Sequence, residues 1–177
     1  MEVAHRLDPL SHVITLSLAV LYDGADRFAD ATPLYDQGLA QSPEAYYAWA
    51  GMVGHQLGLG NVDAAITAFA KSRGWPSTDT TATRIIRGLR DPATRAAAID
   101  ELGRAENPVP AIPFFRWLRG DEATLRMLEA AAAAGRSAGS TMNLYFTLGP
   151  KLRANPRVLA ILPIMGLPPQ EEGPVQP

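Results

Sequence analysis

Apolar positions in the first half of the chain recur at helical spacing in four segments, which short polar or glycine-containing stretches separate. This periodicity predicts helices over about 11–23, 26–40, 44–58 and 61–73. "DGAD" and "GLGN" stand between the two helices of each pair, and a proline, which cannot continue a helix, follows each pair. The first half of the chain is therefore predicted to form two helical hairpins.

The two hairpins repeat one pattern at a period of 34 residues. Three pairs of residues are separated by this period: Pro9 and Pro43, Ala31 and Ala65, and Tyr35 and Phe69. The small alanines let paired helices approach closely, and the aromatic rings fill the space between neighbouring hairpins. Because neither hairpin can bury its apolar face alone, the hairpins are expected to stack as repeats, over about 12–43 and 46–76.

The second half of the chain also has helical spacing, but its pattern is degenerate. Asp79 is predicted to cap one helix and Asp91 the next. The stretch "ENPVPAIP" has three prolines in six residues and predicts an extended or turning connector. Two further helices are expected after it, with a turn at Gly120 between them and Gly135 at the end of the second.

The repeated hairpins resemble tetratricopeptide repeats. The segment "GNVDAAITAFAKS", the period, and Trp49 near the start of its helix are similar to that family, whereas Gln56 and Gly74 depart from its pattern. The resemblance implies an all-α fold, a right-handed superhelix of about four helix pairs with irregular later ones. In such arrays the first helix of each pair lines a concave surface on which partners bind.

A second resemblance concerns the end of the chain. "GPKLRANPRVLAILPIMGLPP" is similar to segments that close tetratricopeptide-like regions of some bacterial signalling proteins, where a winged-helix DNA-binding domain or a class III adenylate cyclase domain precedes the repeats. This implies a repeat region of a longer signalling protein, or a relative that has lost the upstream part. Residues 1–177 resemble neither upstream domain, so we expect neither activity from them.

The composition is that of a globular protein, with 47% hydrophobic and 19% charged residues. We expect one helical-repeat domain over 1–169, degenerate over 77–169, and a disordered tail over 170–177. The formal net charge of −2 gives no general attraction to nucleic acid or to anionic membranes. The chain has no cysteine, which excludes disulfides, thiol nucleophiles and cysteine metal sites.

The most apolar run, "VITLSLAVLY", is shorter than the roughly 20 residues that a membrane-spanning helix requires. Glu2 and Asp8 spoil the positive flank of a signal peptide, and no small-residue cleavage site follows the run. The run is therefore interpreted as a buried helix of a cytoplasmic protein.

Candidate catalytic groups are few. His5, His12 and His55 are the only histidines, and none of them has the spacing of a metal-binding pair. No serine stands in a nucleophile elbow, and "GLGN" joins two helices rather than a strand and a helix. We therefore expect no enzyme, no catalytic residue, no metal and no cofactor.

One charged stripe has two interpretations. Arg84, Arg87 and Arg90 fall three residues apart, close to one helix face. Guanidinium groups suit phosphates and carboxylates, so the stripe could contact an anion or an acidic peptide. The favoured interpretation is the solvated side of a helix whose Ile85, Ile86 and Leu89 face the core.

The expected function is that of a non-catalytic interaction or scaffold module, which binds a peptide or protein in its concave groove. Carrying the family's register onto this chain gives the groove residues Leu16, Val20, Asp23, Tyr47, Ala50, Gly54, Leu57, Phe114 and Trp117. Tyr47 and Trp117 would be natural anchors for a partner, unless they belong to the core. The alternatives are a small-molecule-sensing regulatory domain and a self-association module that forms homodimers.

Small residues crowd one predicted helix, "AWAGMVGHQLGLG". Each interior glycine costs up to about 1 kcal/mol of helix stability relative to alanine. Such a stripe indicates that another backbone approaches closely. The approaching group could be a neighbouring helix, a bound peptide or a second copy of the chain.

Overall fold

Helices and the turns between them make up the whole described structure. The structure, a computed structural model, describes residues 1–74, 79–136 and 141–167, without the side chains of 141–146. These ranges contain no strand, which confirms the all-α prediction.

The tail predicted over 170–177, and the proline at 76 that was expected to close the second repeat, lie outside the described residues. The helices of the described ranges are, in chain order, α1 (Glu2–Leu7), α2 (His12–Gly24), α3 (Phe28–Gln41), α4 (Tyr46–Gly58), α5 (Val62–Arg73), α6 (Thr80–Arg90), α7 (Arg95–Gly103), α8 (Ile112–Phe114), α9 (Asp121–Ala133), α10 (Thr141–Arg153) and α11 (Pro156–Ile161).

The two predicted hairpins are present as α2 with α3 and as α4 with α5. Ala31 and Ala65 are fully buried, as expected for residues at the closest approach of paired helices. Tyr35 and Phe69, the aromatic residues of the repeat pattern, are 1% and 2% exposed. The sequence pattern therefore locates the core of both hairpins correctly.

Side-chain caps set several helix starts. The Ser11 hydroxyl accepts a hydrogen bond from the backbone of α2, and the Asp79 carboxylate accepts two from the first turn of α6, as predicted. The prediction for Asp91 was wrong, because α7 begins at Arg95. Asp91 instead accepts from the backbone N–H of Ala93 and holds a separate turn before the helix.

The prediction of an extended or turning connector over 106–113 is confirmed for 106–108 and wrong for 109–113, which is helical. A 3-10 turn spans Val109–Ala111, and α8 follows it directly. Pro110 and Pro113 each occupy the first turn of their element, where a missing N–H costs no intrahelical hydrogen bond. A π-helical turn, Phe115–Arg119, continues α8 and ends at Gly120, whose φ of +82° favours glycine.

The C-terminal helices fold back onto the first ones. α10 packs against α2, and α8 packs against α4. The Arg153 guanidinium donates to the carbonyl of Gly24 over 2.9 Å, and Arg116 forms an ion pair with Asp26. The face that α2 and α4 share is therefore largely covered by the chain itself.

None of the helices in the described ranges combines the length and hydropathy that a membrane crossing requires.

Candidate binding cleft and its buried polar cluster

A cleft of about 470 Å³ lies where α4 and the end of α5 meet the proline-rich segment before α8. α2 and α10 each contribute one residue to its wall. The lining consists of Val20, Tyr46, Tyr47, Ala50, Gly51, Val53, Phe69, Ser72, Arg73, Asn107, Val109, Pro110, Pro113 and Thr147. Clefts of roughly 300–1,000 Å³ are typical of ligand sites, so this one has room for a small organic molecule or several peptide side chains.

Two tyrosines form the aromatic part of the cleft. Tyr46 is 69% exposed, and its ring meets the ring of Tyr47 edge-on with centroids 5.8 Å apart. The Tyr47 hydroxyl is buried and has no hydrogen-bond partner within the described residues. Burial raises the pKa of the Tyr47 hydroxyl above its usual value.

The rest of the lining combines apolar and polar groups. Val109, Pro110 and Pro113 supply apolar surface from the segment before α8. The last turn of α5 and the same segment supply the polar groups Ser72, Arg73 and Asn107. A ligand with an apolar body and a polar or anionic end would match this lining.

A second, much smaller cavity adjoins the cleft. Its volume is about 30 Å³, close to that of one water molecule. Val20, Gly51 and Thr147 line both spaces. Asp23 and Tyr35 line only the small cavity, which therefore connects the cleft to the interior between the two hairpins.

Asp23 and His55 form a buried pair beside this cavity. The His55 Nδ1 and Asp23 Oδ1 atoms are 2.8 Å apart, and the two residues are 1% and 8% exposed. Burial raises the pKa of the Asp23 carboxyl above its usual value, and the hydrogen bond from His55 opposes that rise. Asp23 Oδ2 and the Tyr35 hydroxyl are both buried without a hydrogen-bond partner among the described residues. The nearby Tyr35 hydroxyl lowers the pKa of the Asp23 carboxyl, although the two groups do not reach hydrogen-bonding geometry.

The other nitrogen of His55 is also engaged. Thr32 Oγ1 lies 3.2 Å from His55 Nε2 and donates to the Phe28 carbonyl over 3.0 Å. Because the Thr32 hydroxyl proton is used on the Phe28 carbonyl, its oxygen is left to accept a hydrogen bond from Nε2–H of His55. Because the ring is buried and both nitrogens are occupied, His55 is not placed to exchange a proton with a substrate.

The expected groove residues are distributed among three environments. Val20, Tyr47 and Ala50 line the cleft; Asp23, Gly54 and Trp117 line the small cavity; Leu16, Leu57 and Phe114 belong to the core, at 1%, 4% and 0% exposed. The structure thus brings six of the nine to two adjoining spaces.

The arginine stripe lies on α6, away from the cleft. Arg84 pairs through its two terminal guanidinium nitrogens with Glu101 of α7. Arg87 and Arg90 are exposed on the same helix.

The glycine stripe of α4 has a structural explanation at two positions. A Cβ atom at Gly51 would lie 2.5 Å from the Tyr35 hydroxyl, and one at Gly58 would lie 2.5 Å from the Phe28 ring. Both contacts come from α3, so close approach of the neighbouring helix accounts for these glycines. A Cβ at Gly54 would meet no atom within 4 Å, which is consistent with its place beside the small cavity.

Sequence inspection missed the part of the cleft that lies outside the first helices of each pair. Ser72 and Arg73 end α5, and Asn107 lies in a turn that was predicted only as a connector. The fold-back of α10, which brings Thr147 to the cleft, has no local signal in the sequence.

Comparisons with protein-family models, with curated proteins and with solved structures found no match to this chain. Within the described ranges, no group of three His, Asp or Glu residues is arranged to hold a metal ion.

Proposed function

We propose that this chain is a non-catalytic binding module of tetratricopeptide-like architecture, whose cleft receives a short segment of a partner protein. One observation carries the proposal. The cleft on the α2 and α4 side has the size of a ligand site and combines exposed aromatic surface with hydrogen-bonding groups.

The repeat period supports the architectural part of the proposal. Two hairpins separated by 34 residues place the cleft-lining Val20 and Ala50 on the first helix of each pair. This is the layer that lines the concave face of tetratricopeptide arrays. The present chain differs in that α8 and α10 cover much of this layer, which leaves a bounded cleft instead of a continuous groove.

The lining supports a peptide as the ligand. Tyr46 and the prolines offer flat apolar surface to a peptide side chain, with little loss of conformational freedom on binding. The polar side chains of Ser72 and Asn107 offer hydrogen bonds to a peptide backbone, and the Tyr47 ring offers apolar contact. The resemblance of the closing segment adds the proposal that such binding regulates a signalling or transcription-regulatory protein.

A small-molecule sensor is the second candidate, and the position of α10 favours it. Thr147 of α10 and Val20 of α2 both line the cleft. A ligand held between them would contact both helices and favour the arrangement in which α10 packs on α2. In this way a small molecule would change the shape of the array.

A displayed library of random peptides tests the proposal directly. Peptides selected on the wild-type chain are expected to lose at least about tenfold in affinity against Tyr47→Ala, an anchor loss of more than about 1.4 kcal/mol. Arg6→Gln, an exposed position on α1, is the control and should bind normally.

Two results would contradict the peptide proposal. One is selected peptides that bind Tyr47→Ala and the wild type equally. The other is a library without binders, together with a fragment that raises the wild-type melting temperature but not that of Tyr47→Ala, which would establish the sensor instead.

A further inference from the structure

A second cleft, which shares no residue with the first, lies between α7, the π-helical turn and α9. Its volume is about 360 Å³. Four arginines line it, each from a different part of the chain: Arg104, Arg119, Arg126 and Arg136. Asp100 is the one acidic residue in its lining. In a chain of net charge −2, this is a marked local concentration of positive charge.

The acidic groups nearest the cleft are already paired with arginines, of which only Arg119 is strongly paired within the cleft itself. Asp100 pairs with Arg119, and Glu101 is held by Arg84 of α6. Glu122 of α9 lies 2.9 Å from Arg157, whereas its contact with Arg126 is 3.5 Å. Arg126 therefore remains weakly paired.

Arg136 is positioned at the cleft by the backbone of the residue that follows α7. Its Nη1 atom donates to the carbonyl of Arg104 over 2.8 Å. Its Nε atom is buried and has no hydrogen-bond partner among the described residues. An unsatisfied buried guanidinium N–H is costly, so the Arg136 side chain would gain by rotating toward an oxyanion in the cleft that it lines.

The floor of the cleft is apolar. Phe115 and Met127 are each 6% exposed, and Ala123 and Ala130 of α9 lie beside them. The Arg119 guanidinium stands over the Phe115 ring, 5.4 Å from its centroid. A bare inorganic ion would use only the arginines, whereas an organic molecule would also cover this floor.

We propose that this cleft binds a phosphorylated small molecule. Arg104, Arg126 and Arg136 contact the phosphate, and Phe115 and Met127 contact the organic group. The planar guanidinium group forms paired hydrogen bonds with phosphate oxygens. A phosphate carries up to two negative charges and therefore balances several arginines better than a ligand with one carboxylate would. This site is separate from the arginine stripe of α6, in which Arg84 is already paired with Glu101.

Isothermal titration of the full chain with phenyl phosphate, inorganic phosphate and benzoate, at constant ionic strength, tests the proposal. Phenyl phosphate should bind more tightly than either other probe. Arg126→Gln and Arg136→Gln should each weaken phenyl phosphate binding by about tenfold, the effect of losing one charge-assisted hydrogen bond. Arg6→Gln, a matched change at an exposed position of α1 outside the cleft, should leave it unchanged.

The Arg126→Gln variant keeps the test valid if Arg136→Gln fails to fold. The Arg126 side chain is 67% exposed, so its replacement should not disturb the core. Three outcomes would overturn the proposal: no heat of binding at millimolar phenyl phosphate, equal affinity for benzoate, or unchanged affinity in Arg126→Gln.

Discussion

Asp23, near the end of α2, accepts a hydrogen bond from the buried imidazole of His55, and this pair joins the two hairpins of the repeat across 2.8 Å. The pair lies beside the small cavity that adjoins the proposed peptide cleft. Burial raises the pKa of the Asp23 carboxyl by more than the interaction with His55 lowers it.

Removing His55 alone should destabilise the fold strongly. His55→Leu leaves the Asp23 carboxyl buried without its partner, which typically costs about 3–5 kcal/mol. The double variant, His55→Leu with Asp23→Leu, should recover most of that loss, because no polar group then remains unpaired. Urea unfolding of the wild type, the two single variants and the double variant measures the coupling. Additive single effects would show that the two residues act independently.

The raised pKa of Asp23 gives a pH prediction with a defined sign. A carboxyl whose pKa is higher in the folded state stabilises the fold most when it is protonated, and that contribution falls as the pH rises from the ordinary value of 3.8 through the raised one. The stability of the wild type relative to Asp23→Asn should therefore decrease as the pH increases from about 4. Urea unfolding of both proteins between pH 4 and pH 8 measures this difference in stability. It amounts to about 1.4 kcal/mol for each unit by which the pKa in the folded state exceeds that in the unfolded state. The opposite slope would mean that His55 outweighs burial.

Two glycines of α4 should respond oppositely to alanine. Gly51→Ala places a methyl group against the fully buried Tyr35 side chain and should cost about 1–3 kcal/mol through overpacking. Gly54→Ala meets no atom and should stabilise the helix by up to about 1 kcal/mol. Thermal unfolding of the two variants compares them in one helix. A destabilised Gly54→Ala variant would show that the open space there is needed.

The fold-back of the C-terminal helices should depend on Arg116. Its side chain is 10% exposed, pairs with Asp26 and donates to the Thr147 carbonyl of α10 over 3.4 Å. Arg116→Gln should loosen the packing of α10 on α2 and accelerate amide hydrogen exchange in both helices. The control is Arg119→Gln, whose partner is Asp100 in another part of the chain. Equal acceleration in both variants would contradict a specific role for Arg116.

Sequence periodicity was sufficient for the hairpins because their contacts are local. Each apolar stripe of α2 to α5 packs on its sequence neighbour, so the bounds of all four helices could be read within one or two residues. The proline-rich segment was misread because proline excludes only helix interiors, and Pro110 and Pro113 begin helical turns instead.

The sites were less accessible to sequence reasoning because they depend on distant segments. Arg136 reaches Arg104, and Thr147 reaches the face of α2, only because the later helices fold back. No repeat or local motif in the sequence indicates either of these two contacts. Phe114 was expected in the groove, yet it lies at 0% exposure in the core, since aromatic residues at helical spacing serve either role.

The most direct test of the central claim is amide hydrogen exchange of the full chain with and without a saturating peptide selected on it. The proposal predicts new protection in the first turn of α4, the end of α5 and the segment over 107–113, where the cleft lining lies. Protection confined to α1, α6 or α11, with none at Tyr46 and Tyr47, would contradict it.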